Sequence, residues 1–143
     1  LHVVGDNVAA DVWRWLATLD APNITSDPRG ASYNDLPDLL TKFDVGLVLY
    51  KGNTLNFVHN VPNKAFEYLA CGLEVWYPPE MRAMQVFAET NPHQRTREVD
   101  FKSLAHDTIP HVNRVPVDDF PFTCERALAP LMAELDVIAR SVR

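Results

Sequence analysis

Lys64 and Glu67 stand three residues apart in the segment Pro62-Asn63-Lys64-Ala65-Phe66-Glu67-Tyr68-Leu69-Ala70-Cys71-Gly72. On a helix that spacing sets an ammonium and a carboxylate on one face. The free N–H groups of a first helical turn carry about half a positive charge, so an anion is favoured there and a lysine beside them reinforces it. A carboxylate one turn further in can accept hydrogen bonds from hydroxyl groups. The pair therefore suits a phosphorylated, hydroxyl-rich ligand, with the polar loop Lys51-Gly52-Asn53-Thr54-Leu55-Asn56 as the anion seat. The same spacing also fits an ordinary solvated ion pair worth a few tenths of a kcal/mol, roughly, so the local pattern leaves both readings open.

The flanking residues decide where such a helix would sit. Pro62 suits a helix start, where a missing N–H costs nothing, and Gly72 suits its end, where a left-handed residue closes the last turn. Phe66, Leu69 and Ala70 share the core face, while Lys64, Glu67 and Cys71 share another. Asp44-Val45-Gly46-Leu47-Val48-Leu49-Tyr50 is an apolar run without alternation, the pattern of a strand covered on both faces in a parallel sheet. Leu73-Glu74-Val75-Trp76-Tyr77 reads the same way and is closed by Pro78-Pro79. In such sheets ligands lie beyond the carboxyl ends of the strands, where the Gly52 to Asn63 loop must be.

The run from Leu36-Pro37-Asp38-Leu39-Leu40 through Phe43 to Tyr50, and on to Pro62-Asn63-Lys64 and Ala70-Cys71-Gly72, resembles the donor-binding half of a GT-B-fold glycosyltransferase. Among these, it is most similar to the retaining enzymes that use nucleotide sugars. The resemblance implies a Rossmann-like, doubly wound parallel α/β sheet over 1–143 as a single domain. It implies a nucleotide-diphosphate sugar as substrate, with no further cofactor. The donor site would comprise Tyr50, Gly52, Asn53, His59, Pro62, Asn63, Lys64 and Glu67, with Glu67 on the ribose hydroxyls and the helix start facing the diphosphate. By the same analogy, base selection falls to the Ser26 to Tyr33 loop.

Two departures stand out. Many members of the family carry two glutamates with seven residues between them, and the first position falls on His59. Where the family has Gly-x-Pro-Val, this chain has Gly72-Leu73-Glu74-Val75, and the start of a strand accommodates either residue. The family's glycine-rich loop and basic pair have no counterpart here. The chain opens on Leu1, within an apparent strand Leu1-His2-Val3-Val4, and is expected to be part of a longer protein whose acceptor domain precedes it.

The remaining sequence fits alternating helices and strands. Val8, Val12, Leu16 and Leu19 predict an amphipathic helix over 7–19, and Asn23 to Ser26 a short strand before the turn Asp27-Pro28-Arg29-Gly30. Leu36, Leu39, Leu40 and Phe43 form a second helical stripe, entered at Asn34 or Asp35. Met81 to Ala88 reads as helix, Asn91 to Thr108 resists assignment, and Val112 to Val117 reads as an edge strand because of Pro116. Cys124, Leu128, Leu131, Leu135, Ile138 and Val142 trace one face of a terminal helix from near Thr123, kinked at Pro130. That face is either a plain packing surface or, by the resemblance, a crossing back to the preceding domain.

A net charge of -6 over 143 residues gives no basic field for a nucleic acid or an acidic bilayer, and neither is an expected partner. No membrane-length apolar stretch or leader is evident, and the expected compartment is the cytoplasm. Cys71 and Cys124 read as buried thiols. His2, His59, His93, His106 and His111 lack metal-ligand spacing, Asp118-Asp119 reads as a solvated turn, and no metal site is expected. Two other functions are alternatives: an epimerase of the same architecture, which needs further acid/base carboxylates, and a non-catalytic, receiver-like interaction module, whose acidic cluster is missing beside Asp6.

Overall fold

In the computed structural model, residues 1–5, 8–104, 109, 111–112, 114–117 and 120–141 are described. The sequence readings that touch Asp6, Asn7, His106, Asp118, Asp119 and Val142 fall outside them. The chain groups into two compact units, Leu1–Lys42 and Phe43–Arg143. Both are mixed α/β, and their strands pair in parallel.

The first unit contains β1 (His2–Val4), α1 (Ala10–Thr18), β2 (Thr25–Asp27) and α2 (Leu36–Leu40). β1 and β2 pair with His2 opposite Thr25 and Val4 opposite Asp27. α1 is shorter at its start than the predicted 7–19. Ala9 supplies no side-chain cap, so nothing draws the helix further toward its N-terminus. Its apolar stripe is only half covered, and Val12 stays exposed. Beyond β2, Arg29 clasps Asp27 through Nε at 3.0 Å and Nη2 at 2.8 Å. This holds the carboxyl down at a pKa of about 2.

The second unit carries β3 (Val45–Leu47), α3 (Leu55–His59), α4 (Asn63–Ala70), β4 (Glu74–Tyr77), α5 (Arg82–Thr90), β5 (Thr96–Glu98) and α6 (Cys124–Ser141). Its sheet has the order β3-β4-β5. β4 is central and buried at every position, as its apolar run predicts. Its neighbour β3 stops at Leu47, and Leu49 is exposed. The core gathers Val48, Ala65, Leu69, Val75, Tyr77, Met81, Met84 and Phe87. Phe66, Phe87 and Phe122 meet with ring centroids 5.4 to 5.6 Å apart, Phe66 edge to face with each of the other two and Phe87 tilted against Phe122. They tie α4 and α5 to the segment leading into α6.

Glycine decides two close approaches. Gly46 lies in the interior of β3, where a Cβ would overlap the ring of Tyr68, so its bareness lets α4 settle onto the strand. Gly72 ends α4 at φ +79°, the left-handed conformation its position predicts. The carbonyl of Val115 presses against its Cα, and the Val115 N–H donates to the Gly72 carbonyl at 3.1 Å.

That contact corrects the reading of Val112 to Val117 as an edge strand. Among its described residues the segment forms no strand, because its N–H groups go elsewhere: Val115 to Gly72 and Arg114 to the Asp44 carboxylate at 3.0 Å. It straps the amino ends of β3 and β4. Glu74 corrects a second reading. It is not interchangeable with a proline, because the residue is buried and its carboxylate accepts from Trp76 Nε1 at 2.9 Å and from Arg97 Nε, with Arg95 at 3.8 Å. β5, in the stretch that resisted assignment, exists largely to deliver that arginine: Arg97 stands opposite Trp76 in register. The thiols differ as well. Cys71 is half-buried and Cys124 is exposed, since α6 presents even its apolar face to solvent.

Candidate functional site

Because β3 and α4 run in opposite directions along one strand-helix-strand unit, the start of α4 lies toward the carboxyl end of the sheet. Pro62 is buried at the N-cap with extended backbone angles, φ -73° and ψ 148°, and makes no side-chain cap. The first-turn N–H groups of such a helix have no intrahelical acceptors. Asn63 is exposed on that turn.

Lys64 is half-buried, with its ammonium 4.8 Å from the centre of the Tyr50 ring. Tyr50 is in turn braced by Phe57, ring centroids 4.7 Å apart. Burial pushes the Lys64 ammonium below its ordinary pKa, and the charge of Glu67 pulls it partly back. Glu67 is half-buried one turn along. Its charge also reaches Tyr68, whose phenol is raised by burial and then by Glu67 and Tyr50. Tyr50, Lys64, Glu67 and Tyr68 thus form one electrostatic cluster. A cation over an aromatic face and a carboxylate within its field can hold an anion on one side and hydroxyl groups on the other.

The loop before α4 is more ordered than its polarity implies. Thr54 caps α3 by accepting from the Phe57 N–H at 3.2 Å, so a helical turn occupies what reads as a plain loop. The T-x-x-F pattern carried that signal, but without the glutamate that marks a capping box. Gly52 turns at φ +64°, and the Glu80 side chain packs against its Cα. Glu80 is paired with Lys102 at 3.2 Å, so an acid borders the expected anion seat. Asn53 is exposed in the same turn.

His59 is set apart from the Lys64 cluster. It is exposed at the end of α3 and, with Val61, Arg82, Ala83, Val86 and Phe87, lines an open cleft of about 520 Å³. Arg82, at the start of α5, is the basic residue the sequence reading did not single out. The Ser26 to Tyr33 loop belongs to the first unit, where Arg29 is engaged with Asp27 and Tyr33 is exposed. Among the described residues no three or more His, Cys, Asp or Glu side chains converge in a way that could hold a metal ion. No described helix is long and apolar enough to cross a membrane.

No family model matches the chain, no curated protein matches it, and no solved structure matches it.

Proposed function

We propose that this chain is the nucleotide-sugar-binding part of a GT-B-type glycosyltransferase, acting in a longer protein that moves a sugar from a nucleotide diphosphate to an acceptor. The observation that carries the reading is Lys64, held half-buried over Tyr50 on the first turn of α4, with Glu67 one turn along. The fold supports it through parallel strands whose carboxyl ends lead toward that turn. The finer architecture the reading entails is a Rossmann-like, doubly wound sheet forming one domain over 1–143.

In this mechanism the α4 start, with Pro62 and Asn63, receives the diphosphate, and Lys64 adds the full positive charge. Glu67 accepts hydrogen bonds from the ribose hydroxyls and so orients the nucleotide. As the sugar departs, negative charge grows on the leaving diphosphate. Fixed donors at a helix start stabilise it without reorganisation. Gly52 and Asn53 border the phosphates, and the cleft holding His59 and Arg82 receives the sugar. Acceptor choice lies with residues outside this chain, in the cytoplasmic setting the reading assigns.

The test is titration of the isotopically labelled chain with UDP, GDP and ADP, following backbone amides by NMR, which detects even millimolar binding. The expected result is shifts at Gly52, Asn63, Lys64 and Glu67 for one nucleotide, lost in Glu67→Ala with the fold intact. Shifts that survive Glu67→Ala, or silence with all three nucleotides, would sink the reading.

A further inference from the structure

We propose that the sugar carried on the nucleotide is a hexuronic acid, its carboxylate held by Arg82 in the cleft between α3 and α5. The assignment rests on the nucleotide-sugar reading and names the class of sugar. The cleft, about 520 Å³, is lined by His59 at the end of α3, by Val61, and by Arg82, Ala83, Val86 and Phe87 of α5. Val61 adjoins Pro62, the N-cap of α4, so the cleft begins one residue from the turn that receives the diphosphate.

Arg82 is exposed, and its guanidinium makes no hydrogen bond or ion pair among the described residues. In a chain of net charge -6 this sets it apart, since Arg29, Arg95 and Arg97 each lie against a carboxylate. No Asp or Glu lines the cleft, so no lining side chain competes for the cation.

The lining selects between a neutral and an acidic sugar. Each hydroxyl of a neutral hexose both donates and accepts, so its recognition calls for side-chain acceptors as well as donors. Here Arg82 can only donate, and a neutral His59 ring adds one donor and one acceptor. A carboxylate in place of the sugar's terminal CH₂OH accepts only, and it matches the guanidinium fork with two parallel hydrogen bonds. Val61, Ala83, Val86 and Phe87 offer apolar walls for the C–H face of the ring, while the remaining hydroxyls face water at the open mouth. An exposed ion pair alone is weak, but a bidentate one beside apolar walls is worth about five- to tenfold in affinity.

The test is an NMR titration of the labelled chain with UDP, GDP and ADP and with the glucose and glucuronate conjugates of each. For the base that binds, the glucuronate conjugate should bind about five- to tenfold tighter than the glucose conjugate and shift the amides of His59, Val61, Arg82 and Ala83. Arg82→Gln, with unchanged circular dichroism, should bring the two conjugates to equal affinity. Arg140→Gln removes the same charge from an exposed position on α6 and should keep the preference. Silence with every nucleotide and conjugate sinks the nucleotide-sugar reading and the hexuronate with it. A nucleotide that binds while its glucuronate conjugate gains nothing over glucose overturns the hexuronate alone. So does a preference that survives Arg82→Gln, or one lost equally in Arg140→Gln.

Discussion

Replacing Glu74 removes the acceptor of one buried donor and the counter-charge of two arginines, and the three partners are not equally affected. Trp76 is 5% exposed, so its Nε1–H loses a bond to a charged acceptor with no water to replace it, a cost of about 1.5–3 kcal/mol. The Arg97 side chain is 45% exposed and regains water, so its share is about 0–1 kcal/mol after solvent screening. Arg95 keeps its bond to the Gly72 carbonyl at 2.9 Å. Glu74→Leu should therefore cost about 2–3 kcal/mol in urea unfolding at neutral pH. Glu74→Gln retains a neutral acceptor and should cost about 1 kcal/mol. The dependence on pH separates charge from packing. Burial raises the Glu74 carboxyl, but the hydrogen bonds from Arg97 and Trp76 and the charges of Arg97 and Arg95 outweigh it and leave the pKa below its ordinary 4.5. The folded protein thus stays ionised where the unfolded chain takes up a proton. The contribution is complete above pH 4.5 and is lost as pH falls through the lower folded value. The gap between wild type and Glu74→Gln should narrow over that acid window. A Glu74→Leu variant within about 0.5 kcal/mol of wild type, or a gap that stays constant into strong acid, would refute the reasoning.

Three further measurements address other parts of the molecule. Gly46→Ala should cost about 1–3 kcal/mol, because the new methyl group overlaps the Tyr68 ring and α4 must lift from β3; undiminished urea stability would show the approach to be looser. Lys64 should titrate below 10.5 when its side chain is followed by NMR, and Glu67→Gln should lower it further by removing the charge that opposes burial; a rise in the variant would contradict the cluster. The Asp27 carboxyl should titrate at about 2, and Arg29→Ala should return it toward 3.8; carbon-detected NMR of the carboxyl reports both.

What the sequence made legible is what apolar pattern and backbone chemistry determine locally. The Pro62 start and Gly72 end of α4, and β4, lie within two residues of where they were expected, whereas the apolar run from Asp44 to Tyr50 forms a strand only over Val45 to Leu47. β5 was hidden because Thr96-Arg97-Glu98 has a polar composition, and its strand is held by pairing with β4 and by a salt bridge to Glu74 rather than by burial of its own side chains. An acid inside the otherwise apolar Leu-Glu-Val-Trp-Tyr was the signal that a cationic partner had to exist. The candidate site was legible as a list and less so as a geometry. Tyr50 and Lys64 meet, but His59 faces a separate cleft with Arg82, since the unforeseen turn of α3 carries it there.

The second unit assigns different tasks to the two ends of its sheet. At the amino ends of β3 and β4, polar groups are consumed internally: Asp44 by the Arg114 N–H, the Gly72 carbonyl by Val115 and Arg95, and Glu74 by Trp76 and Arg97. Toward the carboxyl ends, Lys64 rests on an aromatic face, Asn53 and Asn63 are exposed, and His59 and Arg82 line open space. Groups already engaged stabilise the fold and have little left to offer a ligand, whereas polar groups held in place at the exposed end remain available to one. Substitutions at Glu74 or Gly72 should therefore register in unfolding, and those at Lys64 or Glu67 in ligand affinity. Lys64 and Gly72 stand about 12 Å apart along α4, so substitutions at Lys64 and Glu74 should combine additively when made together.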